Sequence, residues 1–249
     1  MWFKFKESFP VNSFLKMESR KELFRFVIIT LKLAGMWRLD ISHCSKLSAY
    51  FYMIYYIILT VISFYFTISM AIDIPYILRT DPEAAIDSIS KLIYLALLLV
   101  KVVFYPRISK EILLQAMSYE RYIYMQNDSA TLRIYSKHVK FSHVLSKFLC
   151  TTTLFTAIAF CGFGILNSYK FHRLQRHANN TLQKPLPFLI WYPYDENRYH
   201  VWALTQQSIS MFVLTNFIIT TQIFNNCVII FIRSQLIIFQ NYFRHFDQY

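Results

Sequence analysis

Three long runs without a formal charge constrain this chain more than any other feature. Leu47–Ile72, Phe148–Tyr169 and Tyr199–Ile232 contain no Asp, Glu, Lys or Arg. A helix needs about 20 apolar residues to cross a hydrocarbon core roughly 30 Å thick. No water is available there to satisfy backbone amides, so a spanning run must pair them internally, as a helix does. The three runs therefore read as membrane helices. Composition agrees: 55% of residues are hydrophobic and only 16% charged, against about 25% charged in a soluble domain.

A fourth span is less plain. Leu92–Val100 is charge-free but short. Extended to 88–105 it crosses if Lys91 and Lys101 snorkel to opposite surfaces. Pro106 is expected to end it, because proline lacks the N–H that continues a helix. The expected fold is an all-α, polytopic membrane helical bundle. Its spans lie at about 47–72, 88–105, 148–169 and 201–232. Residues 1–46 form a separate N-terminal region, with the apolar Leu23–Trp37 as an interfacial or re-entrant helix, since Arg25 and Lys32 interrupt it. Residues 47–249 form the transmembrane domain.

Charge sets the orientation. Lys plus Arg number nine in residues 1–46, two in 73–91, eight in 101–147, five in 170–198 and two after 232. The positive-inside rule places the N-terminus in the cytoplasm and the 73–91 and 170–198 loops outside. The net charge of +12 is thereby a property of cytoplasmic loops, and no nucleic-acid partner is expected. Asn179-Asn180-Thr181 is a glycosylation acceptor pattern on the outer side, with Asn179 the expected site. Asn127-Asp128-Ser129 matches the same pattern on the inner side and is expected to stay unused.

Several functions find no residues to carry them. Three glycines in 249 residues do not supply a phosphate-cradling loop. Cys44, Cys150, Cys161 and Cys227 form no C-x-x-C pair and read as free thiols. His138 and His143 are five apart, as are His172 and His177, which is not metal spacing on a helix. No nucleophile–base pair or paired carboxylates fall in a span. No enzyme activity, cofactor or metal is expected. Met1–Lys21 is broken by charges and lacks the apolar core of a signal peptide.

The segment Lys184–Trp202 is punctuated by Pro185, Pro187 and Pro193 and carries Trp191, Tyr192, Tyr194, Tyr199 and Trp202. Proline forbids a helix, and amphipathic rings collect where hydrocarbon meets water. It reads as a structured lip that feeds the last span. Polar side chains of that span do not form one stripe: Gln206, Ser210, Thr220 and Thr221 fall on one side, and Asn216, Asn225 and Asn226 elsewhere. The helix should therefore be surrounded by protein. Gly162 and Gly164 either permit close helix contact or loosen the end of span three.

Leu186-Pro-Phe-Leu-Ile-Trp-Tyr-Pro-Tyr-Asp195, followed by Gln206-Gln207 and by Arg233-Ser-Gln-Leu-Ile-Ile-Phe239, resembles the insect odorant receptor family. Leu31-Lys-Leu-Ala-Gly-Met-Trp37, just before the first span, is a second point of resemblance. The resemblance implies an olfactory receptor subunit of a seven-span family with the N-terminus inside. Such a subunit binds a small volatile odorant and assembles with the odorant receptor coreceptor as a hetero-tetramer. That assembly is a ligand-gated, non-selective cation channel in the plasma membrane of a sensory dendrite. The family's pocket lies in the outer half of one subunit and its pore is lined by span seven. With four spans present, the chain reads as a fragment, a truncated gene model or a short isoform, and is not expected to conduct alone.

Depth and side-chain type nominate Tyr94 on span two, Phe155, Ile158 and Gly162 on span three, and Ser208, Met211, Phe212 and Thr215 on span four as pocket residues. Ordinary helix packing is the competing account of each. A gustatory-type receptor of the same superfamily remains an alternative, as does a non-conducting membrane protein. A G-protein-coupled receptor would need an external N-terminus and a D-R-Y-like triplet after span three, where Asn167-Ser-Tyr-Lys170 stands. A tetraspan scaffold would carry paired cysteines in residues 170–198, and there are none. A solute carrier would show an internal repeat, and none is visible.

Overall fold

The computed structural model describes residues 23–37, 46–126, 128–175, 186–196 and 198–244. Among these the regular secondary structure is all helix: α1 (Arg25–Leu33), α2 (Lys46–Thr80), α3 (Pro82–Gln126), α4 (Ser129–Gln175) and α5 (His200–Arg244). Helices α2 to α5 are each long and apolar enough to cross a membrane. They outlast the bilayer. At 45 residues, α3 is about 68 Å long at 1.5 Å per residue, roughly twice the hydrocarbon thickness. The polar 107–147 segment is thus helical too. It forms an extension of α3 and α4 beyond the apolar zone, with α3 ending at Gln126 and α4 starting at Ser129. Asp128 caps the start of α4 by accepting from the Thr131 N–H at 3.1 Å. Asp81 caps α3 in the same way, through the Ala84 N–H at 3.1 Å.

The outward faces confirm the solvent these helices are made for. Ile57, Ile58, Val61 and Ile68 on α2 are exposed, as are Ile93, Leu97, Val100 and Phe104 on α3 and Phe155, Ile158 and Phe163 on α4. A water-soluble monomer does not present continuous apolar faces of this kind. Hydroxyls on such faces are satisfied within their own helix: Thr152 Oγ1 donates to the Phe148 carbonyl and Thr156 Oγ1 to that of Thr152, each at 2.9 Å.

Helix α5 is the axis. It packs against all four other helices, and 56% of its apolar window is buried, against 17–28% in the other spans. That explains its scattered polar side chains, which reach protein on three sides. Asn216 and Thr220 donate to α1 at the Leu33 and Thr30 carbonyls, both at 3.2 Å. Asn225 accepts from Tyr105 of α3. Gln206 and Gln207 meet the loop before α5.

Helix α1 is short, and its apolar side chains Val27 and Leu31 are buried, as are Leu23, Phe24 and Met36 that flank it. Phe24 packs on Phe231 of α5, ring centroids 5.5 Å apart. Both ends are tied to the long helices. The buried Glu120 carboxylate accepts the Leu23 N–H at 3.0 Å. Tyr52 donates to the Lys32 carbonyl at 3.1 Å and Tyr55 to that of Leu33 at 2.7 Å. The last carbonyls of a helix lack an N–H one turn ahead within it, so two tyrosines of α2 help to cap α1; Lys32 O also accepts the Gly35 N–H at 3.1 Å.

Pro106 does not end α3, contrary to the expectation from the sequence. The helix runs through it to Gln126. Proline at 106 removes the donor for the carbonyl four residues earlier, that of Val102. Tyr56 of α2 supplies the replacement, its hydroxyl donating to Val102 O at 3.1 Å. A proline in a span is tolerated when a neighbouring helix satisfies the freed group in this way.

Candidate functional site

The residues ahead of α5 run extended, because Pro187 and Pro193 exclude helix. An extended segment over a bundle must find partners for its backbone groups. The buried Gln207 provides two at once: its Oε1 accepts the Phe188 N–H at 3.1 Å and its Nε2 donates to the Phe188 carbonyl at 2.8 Å. The second Nε2 hydrogen goes to the Tyr192 hydroxyl, 2.8 Å away. Tyr192 in turn donates to the Ala203 carbonyl at 3.4 Å. Gln206 accepts from Tyr194 at 3.0 Å. The Trp191 N–H reaches the Ser69 carbonyl of α2 at 3.1 Å. Burial pushes the Tyr192 phenol well above its ordinary value, more than the Gln207 bond lowers it. Tyr194 is raised as well, by burial first and then by Tyr65 and Glu196.

The two glycines of span three differ in their surroundings. A side chain at Gly162 would meet nothing within 4 Å, whereas one at Gly164 would stand 2.6 Å from Pro187 Cγ. Gly164 lets the loop seat against α4.

Phe188 is the loop's inward residue. Its ring packs edge-on against Phe66 of α2 at 5.4 Å and against Phe160 of α4 at 4.8 Å. The Lys91 ammonium of α3 sits 5.7 Å from its ring centre, within cation–π range. Phe188 therefore closes one end of a cavity of about 410 Å³ between α2, α3, α4 and α5. Phe66 and Phe160 give two walls. Helix α3 contributes Ser90, Lys91, Tyr94 and Leu95, and α5 contributes Met211, Leu214, Thr215 and Ile218. The lining is apolar and aromatic with a few polar groups, the usual make-up of a small-molecule site.

Of the nominated pocket residues, Tyr94, Met211 and Thr215 meet on this cavity. Phe212 lines a separate crevice of about 360 Å³ between α1, α2, α4 and α5. Phe155 and Ile158 are exposed on the outer face of α4, and Gly162 faces open space. Ser208 Oγ donates to its own helix at Leu204 O, 2.9 Å away. Sequence reasoning did not nominate Phe66, Phe160, Phe188 or Lys91. The proline-set loop was the one available signal, since it marks Phe188 as a residue that must dock somewhere. Asn179 lies outside the described residues. Among the described residues no group of three His, Cys, Asp or Glu is placed to hold a metal.

Fold and site together define a multi-pass membrane protein with an apolar cavity under a proline-set loop. No family model matches the sequence, and no curated protein does. The structure is similar to that of the insect olfactory receptor OR5 from Machilis hrabei, with a TM-score of 0.61 and 16% identity, covering 90% of this chain and 55% of that one. It is also similar to the same receptor in complex with eugenol, with a TM-score of 0.60 and 16% identity, covering 88% of this chain and 56% of that one. The chain thus has an olfactory-receptor-like fold and spans a little over half the length of those receptors.

Proposed function

We propose that this chain is the ligand-binding part of an olfactory receptor subunit and that a small volatile odorant occupies the cavity beneath Phe188. The observation that carries this reading is the cavity itself: about 410 Å³, walled by four spans and roofed by a loop that Gln207 holds in place. Its volume falls in the range of about 300–1,000 Å³ typical of small-molecule pockets. The likeness to a receptor solved in complex with eugenol supports it. The loop and the 73–91 segment sit at one end of the bundle, through Trp191–Ser69 and Lys91–Phe188. This end faces outwards, and the N-terminus is cytoplasmic. In the plasma membrane of a sensory dendrite the subunit joins the odorant receptor coreceptor in a hetero-tetramer. Odorant binding opens a non-selective cation channel in that assembly.

Co-expression of the complete receptor with the coreceptor, under voltage clamp and a panel of volatiles, tests the reading. Odorant-evoked cation current is expected, and Met211→Trp, which puts an indole into the cavity, should weaken it strongly while surface expression persists. Unaltered responses in Met211→Trp would overturn the assignment of the cavity.

A further inference from the structure

We propose that Lys91 makes this cavity selective for a neutral volatile bearing a hydrogen-bond-acceptor oxygen, a ketone, aldehyde, ester or aryl ether, over both a hydrocarbon of the same shape and a carboxylate. The inference rests on the cavity being the ligand site. Lys91 is the one formally charged side chain on its wall among the described residues. An ammonium group carries three donors and no acceptor capacity. Asp87, one turn earlier on α3, takes one of them in an ion pair. The aromatic ring of Phe188 lies against the cation at 5.7 Å and accepts no linear N–H bond in the manner of an oxygen. Two N–H donors remain for a guest.

The pairing with Asp87 sets the charge preference. Lys91 and Asp87 have side chains 45% and 63% exposed, and together they bring no net charge. An anionic guest would gain Lys91 but meet Asp87, and would also leave water for an otherwise apolar cavity at high cost. A neutral carbonyl or ether oxygen has neither handicap. The rest of the guest lies against Phe66, Tyr94, Phe160 and Met211, which favour an aromatic or branched hydrocarbon body. Ser90 adds no strong donor, since its hydroxyl hydrogen is given to Ile86 O at 3.0 Å.

Ethylbenzene, acetophenone and benzoate share a similar shape and differ in this one respect. Their affinities for the full chain in lipid nanodiscs, measured by equilibrium binding at neutral pH, test the proposal. Acetophenone is expected to bind about tenfold or more tightly than ethylbenzene, the usual worth of a hydrogen bond to a charged group, and benzoate more weakly than acetophenone. In Lys91→Met, which keeps an unbranched apolar stem, the acetophenone preference should collapse to within about twofold while ethylbenzene binding is retained, a check that the fold survives. In Asp87→Asn, which leaves the Lys91 charge uncompensated, benzoate should gain relative to acetophenone. Equal binding of acetophenone and ethylbenzene by the unaltered chain, or a preference that survives Lys91→Met, would overturn the role of Lys91 and leave the cavity standing. Binding of none of the three would remove the cavity reading itself, and this proposal with it.

Discussion

Replacing Gln207 by Leu removes the amide that fastens the loop and leaves side-chain volume nearly unchanged. Three hydrogen bonds go: to the Phe188 N–H at 3.1 Å, the Phe188 carbonyl at 2.8 Å and the Tyr192 hydroxyl at 2.8 Å. A hydrogen bond contributes about 1 kcal/mol net, and a buried group left unpaired costs about 1–3 kcal/mol. The site is half-buried at Phe188, so water recovers part of the loss. An overall cost of about 2–4 kcal/mol to the docked loop follows, or roughly 30-fold to 1,000-fold in its opening equilibrium. Gln207→Glu should be comparable, because a carboxylate cannot donate to the Phe188 carbonyl. Gln206→Leu loses only the Tyr194 contact and should cost about 1 kcal/mol. Hydrogen–deuterium exchange of the 186–196 segment in nanodiscs reads this directly. Protection of the Phe188 amide should fall by at least tenfold in Gln207→Leu and far less in Gln206→Leu. Equal protection in Gln207→Leu and the parent would refute the reasoning.

Two further outcomes are expected. Tyr56→Phe strands the Val102 carbonyl beside Pro106, whereas Pro106→Ala restores an intrahelical donor; in the double variant the tyrosine should matter less. A coupling of about 0.6–2 kcal/mol in a double-mutant cycle of unfolding is predicted, the scale of interhelical hydrogen bonds in membranes, and additive effects would contradict it. The Tyr192 phenol is held above its ordinary value of 10.0 by burial, so above that pH the docked loop holds a proton that the released loop has lost. Docking should be flat with pH up to about 9 and weaken as pH rises past about 10; exchange rates of the loop compared with Tyr192→Phe, whose alkaline slope should be smaller and carried by the likewise raised Tyr194, measure it.

The spans were legible because charge is intolerable in hydrocarbon, so its absence over Leu47–Ile72 or Tyr199–Ile232 leaves one reading. The docked loop was legible in outline through its prolines and aromatic rings. The course of α3 through Pro106 was not, because the donor that makes it possible, Tyr56, lies 46 residues from the carbonyl it serves. No local rule shows such a partner. The pocket was legible only in depth. Ile158 and Phe160 lie about 3 Å apart along α4, yet only Phe160 turns towards Phe188. Rotation of a helix that is apolar all round is fixed by its neighbours and not by its own pattern. The caps that Tyr52 and Tyr55 make on α1 depend on a helix whose placement the sequence does not specify.

Photolabelling tests the central claim most directly. A diazirine derivative of a small aromatic volatile would be bound to the chain in nanodiscs and its attachment sites mapped by mass spectrometry, with excess unlabelled volatile as competitor. Competable labelling confined to the walls beneath Phe188, at Phe66, Tyr94, Phe160 and Met211, is the predicted result. Labelling that spreads over the lipid-facing Phe155 and Ile158 and resists competition would contradict the account.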